Sequence, residues 1–332
     1  MYNNIRGDTL IYSNKGFIRA DKLNTTDIIM TENGFKKITE ITKTQLNNKM
    51  VYKIKNSNNI DIFFINKNTK ILSVQNIPND LKYNEIISYM ENNDKGVSKI
   101  CFNEIKNLSD FDYIALPILS FDDENKNEYE NDYYRFRGIL YLIDNIEFNY
   151  EILLNDNKNI NTISFLNKYL YNNEIKYDSE NIKGNIKINF YYENNDDLNI
   201  NISKEKTISL LKGLLECFYV KNNEDFYINL KIKDKYKVYF IKNVLYKFQI
   251  LPNIFYNKNE DYYIVKIPKI GIINEIFNNN LNFDINNLNY FTYDKYIFTK
   301  IKSISKIDKY TGYMYNIYTN DNNFLSECGI IS

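Results

Sequence analysis

Ser203-Lys204-Glu205-Lys206-Thr207-Ile208-Ser209-Leu210-Leu211-Lys212-Gly213-Leu214-Leu215-Glu216-Cys217-Phe218 is the stretch on which the fold reading turns. Ser203 suits an N-cap, because its hydroxyl can accept from an orphan N–H of the first turn. Beyond it, Ile208, Leu211, Leu214, Leu215 and Phe218 fall on one side of a helix. Gly213 stands inside that helix, where glycine costs about 1 kcal/mol relative to alanine. A chain tolerates that cost where another backbone comes close. Upstream, Phe136, Ile139, Leu140 and Ile143 repeat the helical spacing around Gly138. The spacing alone leaves two readings open: a tightly crossed helix pair, or two unrelated core helices. Alternating stretches follow at 186–192, 226–232 and 262–267, and 236–248 reads as a further helix. Residues from about 131 to 287 therefore read as an α+β unit of two loosely similar halves.

On either side of this unit the period changes to that of short strands. Thr9-Leu10-Ile11-Tyr12-Ser13 runs into a turn at Asn14-Lys15-Gly16, and Asp27-Ile28-Ile29-Met30-Thr31 into one at Glu32-Asn33-Gly34. Asn-Gly between apolar stretches is a strong hairpin signal. Strands are expected at 50–55, 60–65, 70–74 and 112–117, a pattern of a curled β-rich sheet rather than a parallel α/β fold. Residues 121–132 (FDDENKNEYEND) have little to bury and read as a linker. After 287 the strand style returns: 297–306 alternates, Tyr310-Thr311-Gly312 reads as a turn, and 313–319 alternates again. One β-rich domain is thus expected to be interrupted by another domain.

The chain has 332 residues and a mass of 39.7 kDa, which suits two domains. Lys plus Arg and Asp plus Glu are both 42, so no global field draws the protein to nucleic acid or membrane. Histidine is absent, which excludes a Ser–His–Asp triad, a Cys–His pair and any His-ligated metal. Cys101, Cys217 and Cys328 are widely spaced and suggest neither a disulfide framework nor a thiolate metal site, as in a reducing, intracellular setting. The polar start is unlike a signal peptide, and no apolar run approaches a membrane span. Asparagine, about one residue in six, is interleaved with apolar residues and reads as loop and surface decoration.

Several segments in order resemble an intein, a Hint domain of the protein-splicing family, carrying an inserted LAGLIDADG homing endonuclease. Gly7-Asp8-Thr9-Leu10-Ile11 with Gly16 is similar to the family's opening strand and turn, and Val51-Tyr52-Lys53-Ile54-Lys55 with Lys70-Ile71-Leu72-Ser73-Val74 to the strands around its Thr-x-x-His motif. Asp112-Tyr113-Ile114-Ala115-Leu116-Pro117 resembles the strand leaving the splicing half. Leu211-Lys212-Gly213-Leu214-Leu215-Glu216 resembles the second endonuclease helix, and Arg137-Gly138-Ile139-Leu140 the first. Tyr313-Met314-Tyr315-Asn316-Ile317, Asn322-Asn323-Phe324-Leu325 and Gly329-Ile330-Ile331 resemble the closing strands. The resemblance implies a mainly β, horseshoe-like Hint domain (residues 1–120 and 288–332), a linker (121–132) and an α+β LAGLIDADG-endonuclease-like domain (133–287).

The resemblance also implies where chemistry should sit, and there the residues depart from the family. Splicing begins with a Cys or Ser nucleophile; counted back from Gly7, that position is Asn4, whose amide is no nucleophile. The Thr-x-x-His positions fall on Asn66 and Thr69, and a late His position on Asn322. The family closes on His-Asn, whereas this sequence ends at Ser332 with about three residues before the first junction, so little is expected to be spliced. The two metal-holding acids of the endonuclease fall on Ile143, with Asp144 one step away, and on Phe218, with Glu216 at an earlier acidic position. Asp144 and Glu216 read as solvated helix-end charges rather than metal ligands. The expectation is a protein that has lost both activities and either keeps a structural or interaction role or is a remnant, with an unknown protein partner, no small-molecule cofactor, and Mg²⁺ only if the endonuclease-like site still works. The first alternative binds double-stranded DNA through the insert's sheet, using Lys231, Lys233, Lys235 and Lys237 with tyrosines. The second is a still active splicing element or DNA endonuclease.

Overall fold

The computed structural model describes residues 4–58, 61–64, 69–78, 80–92, 99–122, 129–143, 145–193, 198, 201–217, 226–278, 283–327 and 329–332. The protein is mostly β, with antiparallel sheets and, among the described residues, six helices. It divides into two compact units: Met1–Leu119 with Leu251–Phe255 and Asp284–Ser332, and Ser120–Ile250 with Tyr256–Phe283. Six of the twelve residues of the expected linker, 123–128, lie outside the described residues.

In the first unit the tail strands fill gaps between head strands. Ser326 pairs with Ile11 and Ile331 with Ile71. Residues 296–300 pair with 117–113, and residues 301–319 with 56–38. The expected hairpins form at Ser13/Gly16 and Thr31/Gly34, where Gly34 takes φ +95°, a conformation that a side chain resists. One helix, α1 (Tyr83–Asn92), belongs to this unit and had no counterpart in the sequence reading.

The expected turn at Tyr310-Thr311-Gly312 is instead the middle of a 24-residue strand, Tyr296–Thr319, paired with the 23-residue strand Gly34–Asn56. From Ile307 to Tyr310 the tail strand advances three residues while its partner advances two, from Val51 to Lys49. From Tyr310 to Gly312 it advances two while the partner advances three, from Lys49 to Leu46. These are two bulges on opposite strands, and Lys309 (φ +59°) and Asn48 (φ +51°) supply the left-handed backbone they need. Bulges and turns draw on the same residue types, hence the misreading. Leu46, Val51 and Met314 bury a small core of their own beside these bulges.

Leu251–Phe255 joins the first unit through buried amides. Asn58 is fully buried; its Nδ2 donates to the Pro252 carbonyl (3.0 Å) and to Asn253 Oδ1 (3.3 Å), and its Oδ1 accepts from Thr299 Oγ1 (2.6 Å). Asn289 Nδ2 donates to the same Asn253 oxygen at 2.9 Å.

The second unit repeats one pattern of elements. In the first half α2 (Asn131–Leu142) leads to strand Asn149–Asn155, α3 (Ile160–Asn172) and strands Tyr177–Ile182 and Asn185–Tyr191. In the second, α4 (Lys204–Glu216) leads to strand Tyr227–Ile232, α5 (Lys235–Tyr246) and strands Asn253–Asn257 and Tyr262–Pro268, before the short α6 (Ile272–Phe277). In each half the strand after the first helix pairs antiparallel with the last strand. Ser203 caps α4 as expected, accepting from Lys206 N–H at 3.4 Å. The helix ends at Glu216, and Phe218 lies outside the described residues.

Candidate functional sites

The positions matched to splicing residues hold amide and hydroxyl side chains. Asn4 is buried, and its Oδ1 has no hydrogen-bond partner among the described residues. It precedes Ile5, which pairs with Tyr315 on the long tail strand. Thr69 is also buried; its carbonyl accepts from Ile105 N–H at 3.0 Å, and the next residue, Lys70, exchanges backbone hydrogen bonds of 2.9 and 2.8 Å with Ser332. Asn322 is exposed in a left-handed conformation (φ +53°), in a turn whose other members reach the hairpin tip: Thr31 Oγ1 donates to Asp321 Oδ2 at 2.5 Å and Glu32 N–H to Asn323 Oδ1 at 2.9 Å. Asn66 lies outside the described residues. None of these groups exchanges protons near pH 7 as a histidine would.

Of the endonuclease positions, Ile143 and Glu216 are described, and they stand at the C-terminal ends of the two helices, α2 and α4, that cross at Gly138 and Gly213. A Cβ at Gly213 would lie 2.0 Å from the Arg135 carbonyl oxygen, and one at Gly138 2.4 Å from the Leu210 carbonyl oxygen. The two glycines are therefore what lets the backbones touch, and of the two readings above the crossed pair is the one observed. Ile143 ends α2, donating its N–H to the Leu140 carbonyl at 3.1 Å and packing on the core of the first half. Asp144 lies outside the described residues.

Glu216 is not a solvated helix-end charge. It is buried, and Arg135 of α2 holds both its oxygens: Nε at 3.0 Å from Oε1 and Nη2 at 2.7 Å from Oε2. The Arg135 guanidinium in turn lies 3.8 Å from the centre of the Phe165 ring, and Asn159 Nδ2 donates to the Glu216 carbonyl at 3.1 Å. Sequence reading missed Arg135. Mg²⁺ is normally held by carboxylate oxygens; among the described residues here Ile143 offers none, and both of Glu216 face a guanidinium. The neighbouring Cys217 thiol is pushed up to about 12 by burial, with Glu216 adding and Arg135 opposing, so it stays protonated and is a poor nucleophile at neutral pH. Removing one partner of a buried pair leaves a charge uncompensated. Arg135→Ala and Glu216→Ala are each expected to cost about 3 kcal/mol in denaturant melts, and the double variant clearly less than the sum. Additive losses would show that the pair does not act as a unit.

The two sheets of this unit present opposite charges to solvent. On the first, cross-strand neighbours place Glu151, Asp178, Glu180 and Lys187 on one face, with Lys187 Nζ 3.0 Å from Glu151 and 3.9 Å from Glu180. On the second, Lys231 lies over the Tyr262 ring (5.1 Å) and Lys266 over Tyr227 (4.2 Å). The four lysines of the DNA-binding alternative do not share a strand face: the strand ends at Ile232, and Lys235 opens α5. Among the described residues no helix is long and apolar enough to cross a membrane.

No protein-family model and no curated protein matches the chain. Solved structures with partial likeness include a variant of I-DmoI in complex with its target DNA in the presence of manganese, at TM-score 0.34 and 12% identity over 48% of this chain and 99% of that one. Full-length DUF199/WhiA from Thermatoga maritima aligns at TM-score 0.34 and 14% identity over 48% of this chain and 61% of that one. The gp41-1 intein aligns at TM-score 0.23 and 11% identity over 36% of this chain and 70% of that one.

Proposed function

We propose that the chain is an intein-like protein, a Hint-type β unit interrupted by a LAGLIDADG-endonuclease-like unit, that has lost both chemistries and serves in structure or interaction with a protein partner. The observation that carries the reading is the α2–α4 crossing at Gly138 and Gly213, inside a doubled α+β unit whose sequence lies between two parts of one β unit. Loss of splicing is supported by the buried Asn4 amide at the nucleophile position and by the absence of histidine from the whole sequence. Loss of cleavage is supported by the Arg135–Glu216 pair, which occupies the nearest described carboxylate. Where groups act in concert, removing one commonly costs several orders of magnitude in rate.

The test places the chain between two reporter proteins and follows them on a denaturing gel, and separately incubates it with Mg²⁺ or Mn²⁺ and a randomised duplex library before end sequencing. The expected outcome is neither ligated reporters nor reproducible breaks; site-specific breaks abolished by Asp144→Ala would restore the active-endonuclease reading. Lys231 and Lys266 over tyrosines favour a second reading, weak binding of nucleic acid on the second sheet. The acidic face of the first sheet opposes a duplex gripped by both, since phosphate contacts need positive charge.

A further inference from the structure

Where α2 begins, a cavity of about 590 Å³ opens beside α3, within the size range of small-molecule sites. Four tyrosines line it: Tyr129, Tyr133, Tyr169 and Tyr192. Their rings are held in place. Tyr129 stacks on Tyr133 with centroids 4.0 Å apart, Tyr169 stacks on the buried Phe136 at 4.4 Å, and Tyr192 meets Phe136 edge-on at 5.1 Å. Arg137, itself buried, donates to the Tyr133 hydroxyl, and its guanidinium lies 5.4 Å from the centre of that ring, so Tyr133 is already engaged by a cation. Ring faces carry negative potential and attract cations. Two carboxylates, Glu130 and Asp132, line the same cavity. Glu130 occupies the N-cap of α2, yet its side chain makes no capping bond. One lysine, Lys168, also lines the cavity and is exposed. The Tyr169 phenol is pushed up, chiefly by burial, then by Tyr192, Tyr133 and Asp132, with Arg137 opposing, so it stays a neutral ring at physiological pH.

We propose that this cavity binds a small organic cation, a quaternary ammonium group, through the rings of Tyr129, Tyr169 and Tyr192 with Glu130 and Asp132 supplying countercharge. An anion would meet the two carboxylates, and a neutral apolar ligand would make no use of them. The cavity adjoins the Arg135–Glu216 pair through Phe165, which lines it and carries the Arg135 guanidinium on its ring.

The test compares choline with its neutral isostere 3,3-dimethyl-1-butanol on the full chain, by saturation-transfer NMR and titration. Choline methyl protons are expected to receive saturation and shift upfield, with the isostere binding about tenfold more weakly. Glu130→Gln with Asp132→Asn should weaken choline about fivefold and leave the isostere unchanged. Tyr129→Leu, at a position 46% exposed and so harmless to the fold, should weaken choline to a similar degree. Circular dichroism confirms that each variant is folded. The proposal is overturned if the isostere binds as tightly as choline, if choline binding survives both variants undiminished, or if the folded wild-type chain transfers no saturation to choline.

Discussion

Gly213→Ala is expected to lower the stability of the second unit by about 3 kcal/mol or more, with Gly138→Ala close behind. On helix propensity alone the change should stabilise by about 1 kcal/mol. Packing decides the sign, because the new methyl would sit 2.0 Å from the Arg135 carbonyl oxygen and 2.9 Å from its carbon. The obstacle is backbone, so no rotamer change relieves it and the helices must separate. Separation loosens Leu210, Leu211, Leu214 and Leu215, all fully buried, and stretches the Arg135–Glu216 pair. Chemical denaturation followed by circular dichroism gives the value directly. Lys212→Ala, at a half-buried neighbour with no such neighbour contact to lose, is the control and should change stability by less than about 0.5 kcal/mol. A Gly213→Ala protein as stable as wild type would mean that the helices do not touch at this point.

Removing residues 288–332 is expected to unfold the first unit outright. The tail provides cross-strand partners to the strands around Ile11, Ile38–Asn56, Ile71 and Tyr113–Pro117. It also contributes Phe291, Ile297, Phe298, Phe324, Ile330 and Ile331 to the core, each at most 1% exposed. At about 1.5–3 kcal/mol for each buried side chain, their loss is comparable with the ~5–15 kcal/mol that a domain has in total. Replacing residues 131–287 by a short Gly/Ser linker should be far milder, since loop closure changes slowly with length. It is not free of consequence: Pro252 and Asn253 go with the insert, and the buried Asn58 amide loses both acceptors, a cost of about 1–3 kcal/mol. Thermal melts of the two shortened chains decide the matter. Cooperative folding of residues 1–120 alone, with an insert-deleted chain that does not fold, would defeat the interrupted-domain account.

What could be read from the sequence was whatever has a local cause. The helix crossing is half legible: a glycine inside each apolar helix raises it, but the spacing alone leaves it open against two unrelated core helices. The hairpins at Gly16 and Gly34 are legible because the turn chemistry lies within four residues. The fate of Glu216 is not, because its partner lies 81 residues away. A signal was nonetheless present. Arg6, Arg19, Arg135 and Arg137 are the only arginines among 42 basic residues, and two of them adjoin Gly138. Arginine is the residue suited to buried, bidentate pairing, so its scarcity elsewhere marks that turn of helix. The opposed charges of the two sheets were hidden for another reason. Lys187 and Glu151 share a face only once strand pairing is fixed, and the strand 149–155 hides its period because the exposed Leu153 stands between the buried Ile152 and Leu154.

The long ladder of the first unit has a further consequence. Two of its four register shifts, near Lys309 on one strand and near Asn48 on the other, cancel, so that Val51 opposite Ile307 and Leu46 opposite Gly312 keep the same phase. Such a ladder behaves as a reading frame does. A single extra residue on one strand inverts every side chain beyond it, and a second on the opposite strand restores the sense. The β unit can therefore lengthen or shorten in the middle of this ladder by paired events, while the strand segments on either side go on presenting the same residues inward.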